Sequence, residues 1–161
     1  MSDSEDLLFS EDEYDQDDDI KENKEAPWNI LIVDDEPEIH SVTTLVLADF
    51  EWEGRPLRFY NAYTALEAKE ILNRGLSISV CLVDVVMETN EAGLDLVRYI
   101  RGELANNQVR LILRTGQPGY APEKSVIRDY DINDYKDKTE LAAVKIQTLT
   151  HKPIRRCRRT R

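Results

Sequence analysis

The sequence predicts an α/β domain in which five parallel strands alternate with helices, and two observations carry that expectation. From Trp28 onward, short apolar runs alternate with longer amphipathic stretches, the pattern of βα units wound around one sheet. Two of the runs, Asn29 to Val33 and Ile78 to Val83, are almost wholly apolar, as expected of central strands covered by helices on both faces.

The elements follow in order. Asn29 to Val33 reads as the first strand and Pro37 to Leu47 as its helix, with Pro37 suited to a first turn. Leu57 to Tyr60 is the second strand and Tyr63 to Asn73 its helix, and Gly75 suits the cap at that helix's end. Ile78 to Val83 leads into a third helix, Leu94 to Leu104. Arg110 to Leu113 and Glu123 to Tyr130, with Pro122 at the helix start, make the fourth unit; Ile132 to Tyr135 and a helix from Glu140 make a weaker fifth. No repeat at a solenoid period is present. Five such units within residues 26–150 fit a flavodoxin-like (βα)5 doubly wound sheet with strand order 2-1-3-4-5, in which ligands sit beyond the carboxyl ends of the strands.

Length and charge set the limits of that domain. A chain of 161 residues with 41% hydrophobic content buries one core of ordinary size, so one domain with tails is expected. The formal net charge of −11 is unevenly spread: residues 1–25 carry −10, residues 26–150 carry −7, and the last eleven residues, with six Lys or Arg and no acid, carry +6. Residues 1–25 have too little apolar surface to offset the entropy of ordering, so they read as an acidic disordered tail. Within them Leu7, Leu8 and Phe9 make a short apolar patch. Residues 28–150 read as the folded domain, and 151–161 as a basic tail or the end of the last helix, where cations suit the helix dipole. Such a tail is also a candidate for phosphate contacts with nucleic acid, although direct nucleic-acid binding is not expected.

No apolar stretch approaches the roughly 20 residues that span a bilayer, and the amino terminus is acidic where a signal peptide is basic. A cytoplasmic protein without membrane contact is the expectation. Cys81, inside an apolar run, and Cys157, in the basic tail, have neither metal-ligand spacing nor a disulfide framework and read as free thiols.

The candidate chemistry lies at the strand ends. Asp34 and Asp35 follow the first strand and Asp84 follows the third. Carboxylates converging on one partly desolvated edge repel unless a cation compensates. A hard ion with oxygen ligands suits them, and Mg²⁺ also tolerates retained waters and a phosphate oxygen. Thr115 and Gly116 follow the fourth strand and Lys138 follows the fifth. A hydroxyl, a backbone amide and an ammonium are what the oxygens of a phosphoryl group on Asp84 would need. Taken singly, each residue has a plainer reading as a helix cap, a strand end or a solvated lysine.

The ordered set VDDEP, LVDVVM, LRTG and DYKDK resembles the receiver domains of two-component response regulators, over roughly Trp28 to Leu149. The resemblance implies that Asp84 is the phosphoacceptor, and that Asp34, Asp35, Asp84 and the carbonyl of Val86 hold Mg²⁺. It also implies that Thr115 and Lys138 contact the phosphoryl group, and that Thr115 and Tyr135 form a switch. It gives a histidine kinase or phosphotransfer protein as donor partner. The face of the fourth helix, fifth strand and fifth helix becomes the output surface, with which a homodimer would be compatible. The only catalysis implied is the domain's own aspartyl phosphorylation and dephosphorylation.

Some positions depart from the family pattern. Glu88 and Thr139 stand where receivers usually have proline, and the loop between Asp84 and Gly93 is one residue longer than usual. Without that proline a cis peptide after Lys138 is costly, by about 2.5–4 kcal/mol, which keeps Lys136 as a competing candidate; Tyr135, three residues before Lys138, favours Lys138. Val86 and Gln117, two residues past Asp84 and Thr115, occupy positions that in this family influence how water reaches the acyl phosphate, and Val86 cannot hydrogen-bond a water through its side chain. The segments DINDYKDKTEL and LRTGQPGYAPE are similar to receivers joined to cyclic-di-GMP turnover modules.

Two other functions fit parts of the pattern. A pseudo-receiver would act as an interaction module without being phosphorylated. A haloacid-dehalogenase-like phosphatase also uses a strand-end Asp but favours a second Asp two residues later, where this chain has Val86.

Overall fold

The structure is a computed structural model and describes residues 26–116 and 124–138. The expected acidic and basic tails, the helix from Glu140, and Pro122, Gln117 and Thr139 lie outside the described residues.

The described elements are β1 (Trp28–Val33), α1 (Pro37–Leu47), β2 (Glu51–Trp52), β3 (Arg55–Ala62), α2 (Ala65–Leu72), β4 (Ile78–Asp84), α3 (Ala92–Arg98), β5 (Arg110–Thr115), α4 (Lys124–Asp129) and β6 (Asp134–Asp137). They form one six-stranded sheet in the order β2-β3-β1-β4-β5-β6. The pairs β3–β1, β1–β4, β4–β5 and β5–β6 are parallel, so these five strands keep the expected 2-1-3-4-5 order.

The sixth strand is an addition. Residues Glu51 and Trp52 pair antiparallel with Pro56 and Arg55, and the two-residue turn between them places Glu53 at φ 52° and Gly54 at φ 71°. Two consecutive positive-φ residues are what a tight hairpin with the right twist requires. Trp28 Nε1 donates to the Trp52 carbonyl at 3.0 Å, the two indoles lie 4.4 Å apart, and the Arg55 guanidinium stacks 3.7 Å over Trp28. The hairpin thus clasps the start of β1 to the sheet edge.

Side chains alternate across each strand, and the two faces bury different things. Leu31, Val33, Cys81, Val83, Leu111 and Leu113 join α2 and α3 residues such as Ala68, Ile71, Leu96 and Val97 in the large apolar cluster. The opposite face carries Ile30, Ile32, Leu82 and Ile112, and α1 belongs there, since its Thr43 hydroxyl meets Arg114, two residues beyond Ile112, at 3.2 Å. Burial pushes the Cys81 thiol up to about 12, which makes it an inert core residue.

Local signals explain the element ends. Pro37 stands in the first turn of α1; Thr64 caps α2 by accepting from the Glu67 amide at 3.1 Å. Gly75, at φ 76°, turns the chain after α2 where a side chain would be strained. After α3 the chain continues as a π-helical turn, Tyr99–Glu103, closed by the Leu104 amide on the Tyr99 carbonyl at 3.0 Å. Arg101 ties this turn to the Tyr130 and Asp131 carbonyls at 3.1 and 3.0 Å. The last strand is shifted from Ile132–Tyr135 to Asp134–Asp137. Ile132 is buried in the core ahead of it, and Asn133 Oδ1 accepts the Leu111 amide at 2.8 Å, imitating the backbone of a strand residue.

Among the described residues no helix is long and apolar enough to cross a membrane.

Candidate functional site

The carboxyl ends of β1, β4, β5 and β6 converge on one acidic pocket. Asp34 follows β1 and is fully buried; Asp84 ends β4 and is 2% exposed. Carboxylate oxygens of Asp34, Asp35, Glu36 and Asp84 all lie within 4.8 Å of one another. Asp35 and Glu36 are exposed at the pocket mouth.

Lys138 enters this cluster from beyond β6. Its Nζ lies 2.8 Å from Asp84 Oδ2 and 3.3 Å from Asp34 Oδ1, and donates to Glu36 Oε1 at 2.6 Å. Burial acts to lower the Lys138 pKa, but hydrogen bonds to Asp84 and Glu36 and the charge of Asp34 outweigh it and hold the ammonium above its ordinary value. Lys136, the competing candidate, turns to Asp134 at 3.3 Å instead. Gly116 abuts the Lys138 stem, with a Cβ at that position 3.4 Å from Lys138 Cδ.

Asp84 titrates above the usual carboxylate range. Burial raises it, Lys138 lowers it by hydrogen bond and charge, and Asp34 raises it again. The Val86 amide donates to Asp84 Oδ1 at 3.3 Å, so the residue after next closes over the carboxylate. Thr115 is buried at the end of β5, one position beyond Arg114, the register partner of Asp84. Tyr135 sits on β6, half-buried against the large apolar cluster.

Gly93 fixes the wall on the other side. Its amide donates to the Val85 carbonyl at 3.1 Å, and a Cβ there would overlap the Asp84 carbonyl and come within 2.8 Å of Val85 Cα. Only glycine lets α3 approach the end of β4 this closely. Glu88, in place of the usual proline, accepts the Ala65 amide at 2.7 Å and so ties the loop after Asp84 to the start of α2.

Residues that the sequence motifs passed over complete the pocket. The wholly buried Arg114 donates to Asp34 Oδ2 at 3.0 Å and to the Thr43 hydroxyl at 3.2 Å. Burial lowers the Arg114 pKa and the Asp34 charge opposes it. His40 Nε2 approaches the Asp34 carbonyl at 2.7 Å; a carbonyl only accepts, so Nε2 carries the proton. Its Nδ1 lies 2.9 Å from Asn61 Oδ1. A charged residue inside the apolar run RLILRT, and polar His40 and Thr43 on the inward stripe of α1, are sequence signals that would have pointed to this floor.

An all-oxygen donor set of this size fits a hard divalent cation. Asp34 already uses Oδ2 for Arg114 and Oδ1 for Lys138 and the Glu36 amide. Asp35 makes no side-chain hydrogen bond among the described residues, which leaves its carboxylate open to a cation.

No family model matches the chain. It is 50% identical over 133 residues to a curated relative, the 3'3'-cGAMP-specific phosphodiesterase 2 of Vibrio cholerae serotype O1; the match covers 83% of this chain but only 26% of that protein's length. Among solved structures, a response regulator receiver protein from Pseudomonas putida is 26% identical with a TM-score of 0.61, over 78% of this chain and 97% of that one. The described domain has the receiver fold of two-component response regulators. The N-terminal domain of a response regulator/sensory box/GGDEF protein from Carboxydothermus hydrogenoformans shares that receiver fold, with a TM-score of 0.63 at 19% identity, over 79% of this chain and 94% of that one. These likenesses support a response-regulator receiver, and the acidic pocket lies at the strand ends where the receiver motifs of the sequence fall.

Proposed function

We propose that this domain is a phosphorylatable receiver in which Asp84 takes a phosphoryl group from a histidine kinase or phosphotransfer protein. The observation that carries the reading is Lys138 Nζ at 2.8 Å from Asp84 Oδ2 inside a cluster of four carboxylates.

An Asp84 oxygen forms the new O–P bond as the donor's N–P bond breaks, and the leaving imidazole nitrogen takes the electron pair. Burial would favour a protonated, unreactive Asp84, and the adjacent Lys138 ammonium opposes it. Asp35, Asp84 and the Val86 carbonyl are the residues that would hold Mg²⁺, with Asp34 beside them. When bound, the ion neutralises charge on the phosphoryl oxygens. Lys138 stays within reach of the product oxygens, and the Thr115 hydroxyl donates to another. That movement and a rotamer change at Tyr135 alter the face of α4 and β6, a bistable element biased by phosphorylation.

The output we propose is a cyclic-dinucleotide turnover module, in the same protein or a partner. The likeness to a 3'3'-cGAMP phosphodiesterase and to a receiver joined to a GGDEF module supports that class.

Incubation with acetyl phosphate and Mg²⁺, followed by intact-mass measurement, tests the reading. One phosphoryl group is expected on the chain and none on Asp84→Asn. No incorporation by the native chain with acetyl phosphate or a phosphohistidine donor would make it a pseudo-receiver.

A further inference from the structure

Arg114 has more charge and more donors than the fold asks of it. It is wholly buried, and a buried ion pair contributes little to stability relative to a well-packed apolar residue of similar volume. Its Nε is one of two buried side-chain atoms among the described residues without a hydrogen-bond partner, and an orphaned donor costs free energy. A guanidinium placed at such a cost has to be understood from what it touches, which is the floor of the acidic pocket.

Charge explains its place. Among the described residues, Asp34, Asp35, Glu36 and Asp84 face two cations, Arg114 and Lys138, which leaves two negative charges when all are ionised. One divalent cation balances that remainder. Without Arg114 three would remain. Lys138 reaches the pocket from its open side, 10% exposed, whereas Arg114 and Asp34 are both at 0%. Arg114 is therefore the fixed countercharge and Lys138 the one that can be drawn to a new anion. The fork of Arg114 onto Asp34 Oδ2 and Thr43 Oγ1 also holds the Asp34 plane, leaving Oδ1 to Lys138 and the Glu36 amide.

We infer that Arg114 is a positioning residue of the cation site: it takes one Asp34 oxygen out of reach of the metal and thereby sets how tightly the pocket holds Mg²⁺. The inference rests on the pocket being the divalent-cation site of the proposed receiver.

Calorimetric titration of the full chain with MgCl₂ at fixed ionic strength, without phosphodonor, tests it. Removing one positive charge beside a divalent ion tightens binding, so Arg114→Met is expected to bind Mg²⁺ about tenfold more tightly, and Arg114→Lys, which keeps the charge, to return towards the native constant. If Arg114→Met does not fold, the same comparison is made between Asp34→Asn and Asp34→Asn with Arg114→Met. The double variant is then expected to bind more tightly by the part of that factor that comes from charge alone. Equal Mg²⁺ constants with and without Arg114 overturn the inference, because a purely structural role moves the melting temperature and leaves the constant alone. The receiver reading fails separately: a native chain that takes no phosphoryl group while its Mg²⁺ constant still responds to Arg114 sinks that reading and keeps this one.

Discussion

On the side of the sheet covered by α2 and α3, the described core is one continuous apolar cluster running from Leu31 and Val33 through Leu96 to Leu113. On the side of α1, the apolar cluster is a small group around Ile32 and Ile112, and beside it are buried His40, Thr43, Asp34 and Arg114. The two sides divide the work. Apolar packing is insensitive to ions and pH, whereas buried charges are costly unless paired and so couple the fold to whatever changes their pairing. The α2–α3 side holds the domain together; the α1 side makes its stability answer to the pocket.

Substitutions that strike one side only should expose that division. The largest loss is expected for Arg114→Met, about 3–5 kcal/mol in urea unfolding, since Asp34 is left buried without its partner, and its Mg²⁺ binding changes too. Leu96→Ala, on the other side, is expected to lose about 2–4 kcal/mol with its Mg²⁺ constant and acetyl-phosphate labelling unchanged. A Leu96→Ala chain that folds but no longer labels would show that the two sides are not separable.

Asp84 gives a smaller effect with a definite sign. Its carboxyl binds its proton more tightly in the folded chain than in the unfolded one, because burial raises its pKa. Its contribution is then fully present below the ordinary carboxylate range and is lost as pH rises through the folded value. Asp84→Asn, which never ionises, should therefore melt above the native chain at neutral pH, and the gap should close as the medium is acidified. A gap of opposite sign would mean that Lys138 more than offsets burial. The smallest expected effect is kinetic. Val86 offers no side-chain hydrogen bond to a water at the acyl phosphate, so Val86→Asn is expected to shorten the lifetime of the phosphorylated chain; unchanged or slower decay would refute this.

The same division explains what the sequence revealed. Apolar runs announce strands, so the five parallel strands could be read directly and their order followed from the fold class they fit, and polar residues placed just after those runs marked Asp34, Asp84, Thr115 and Lys138. What was not legible depends on tertiary approach. Arg114 stands out as a charge inside a run that reads as strand, but nothing local says that its side chain reaches β1 and α1. Glu36 was visible within VDDEP, but its hold on Lys138 joins positions 102 residues apart. The β2–β3 hairpin was missed because two-residue Glu51–Trp52 is too short for any period to show, leaving only Gly54 as a turn signal. The start of β6 was misplaced because Asn133 supplies a side-chain oxygen where a strand would supply a carbonyl.

Gly93 gives the pocket one stiff wall and one compliant one. With the Asp84 carbonyl in contact with the backbone of α3, and Glu88 bracing the intervening loop against α2, the β4 end, α2 and α3 form a single rigid anvil. Any added bulk or charge on Asp84 finds no give in that direction. On the phosphorylation proposed above, a displacement at Asp84 would be turned towards the side where Thr115 and Lys138 stand, and the output would have a direction before any partner binds.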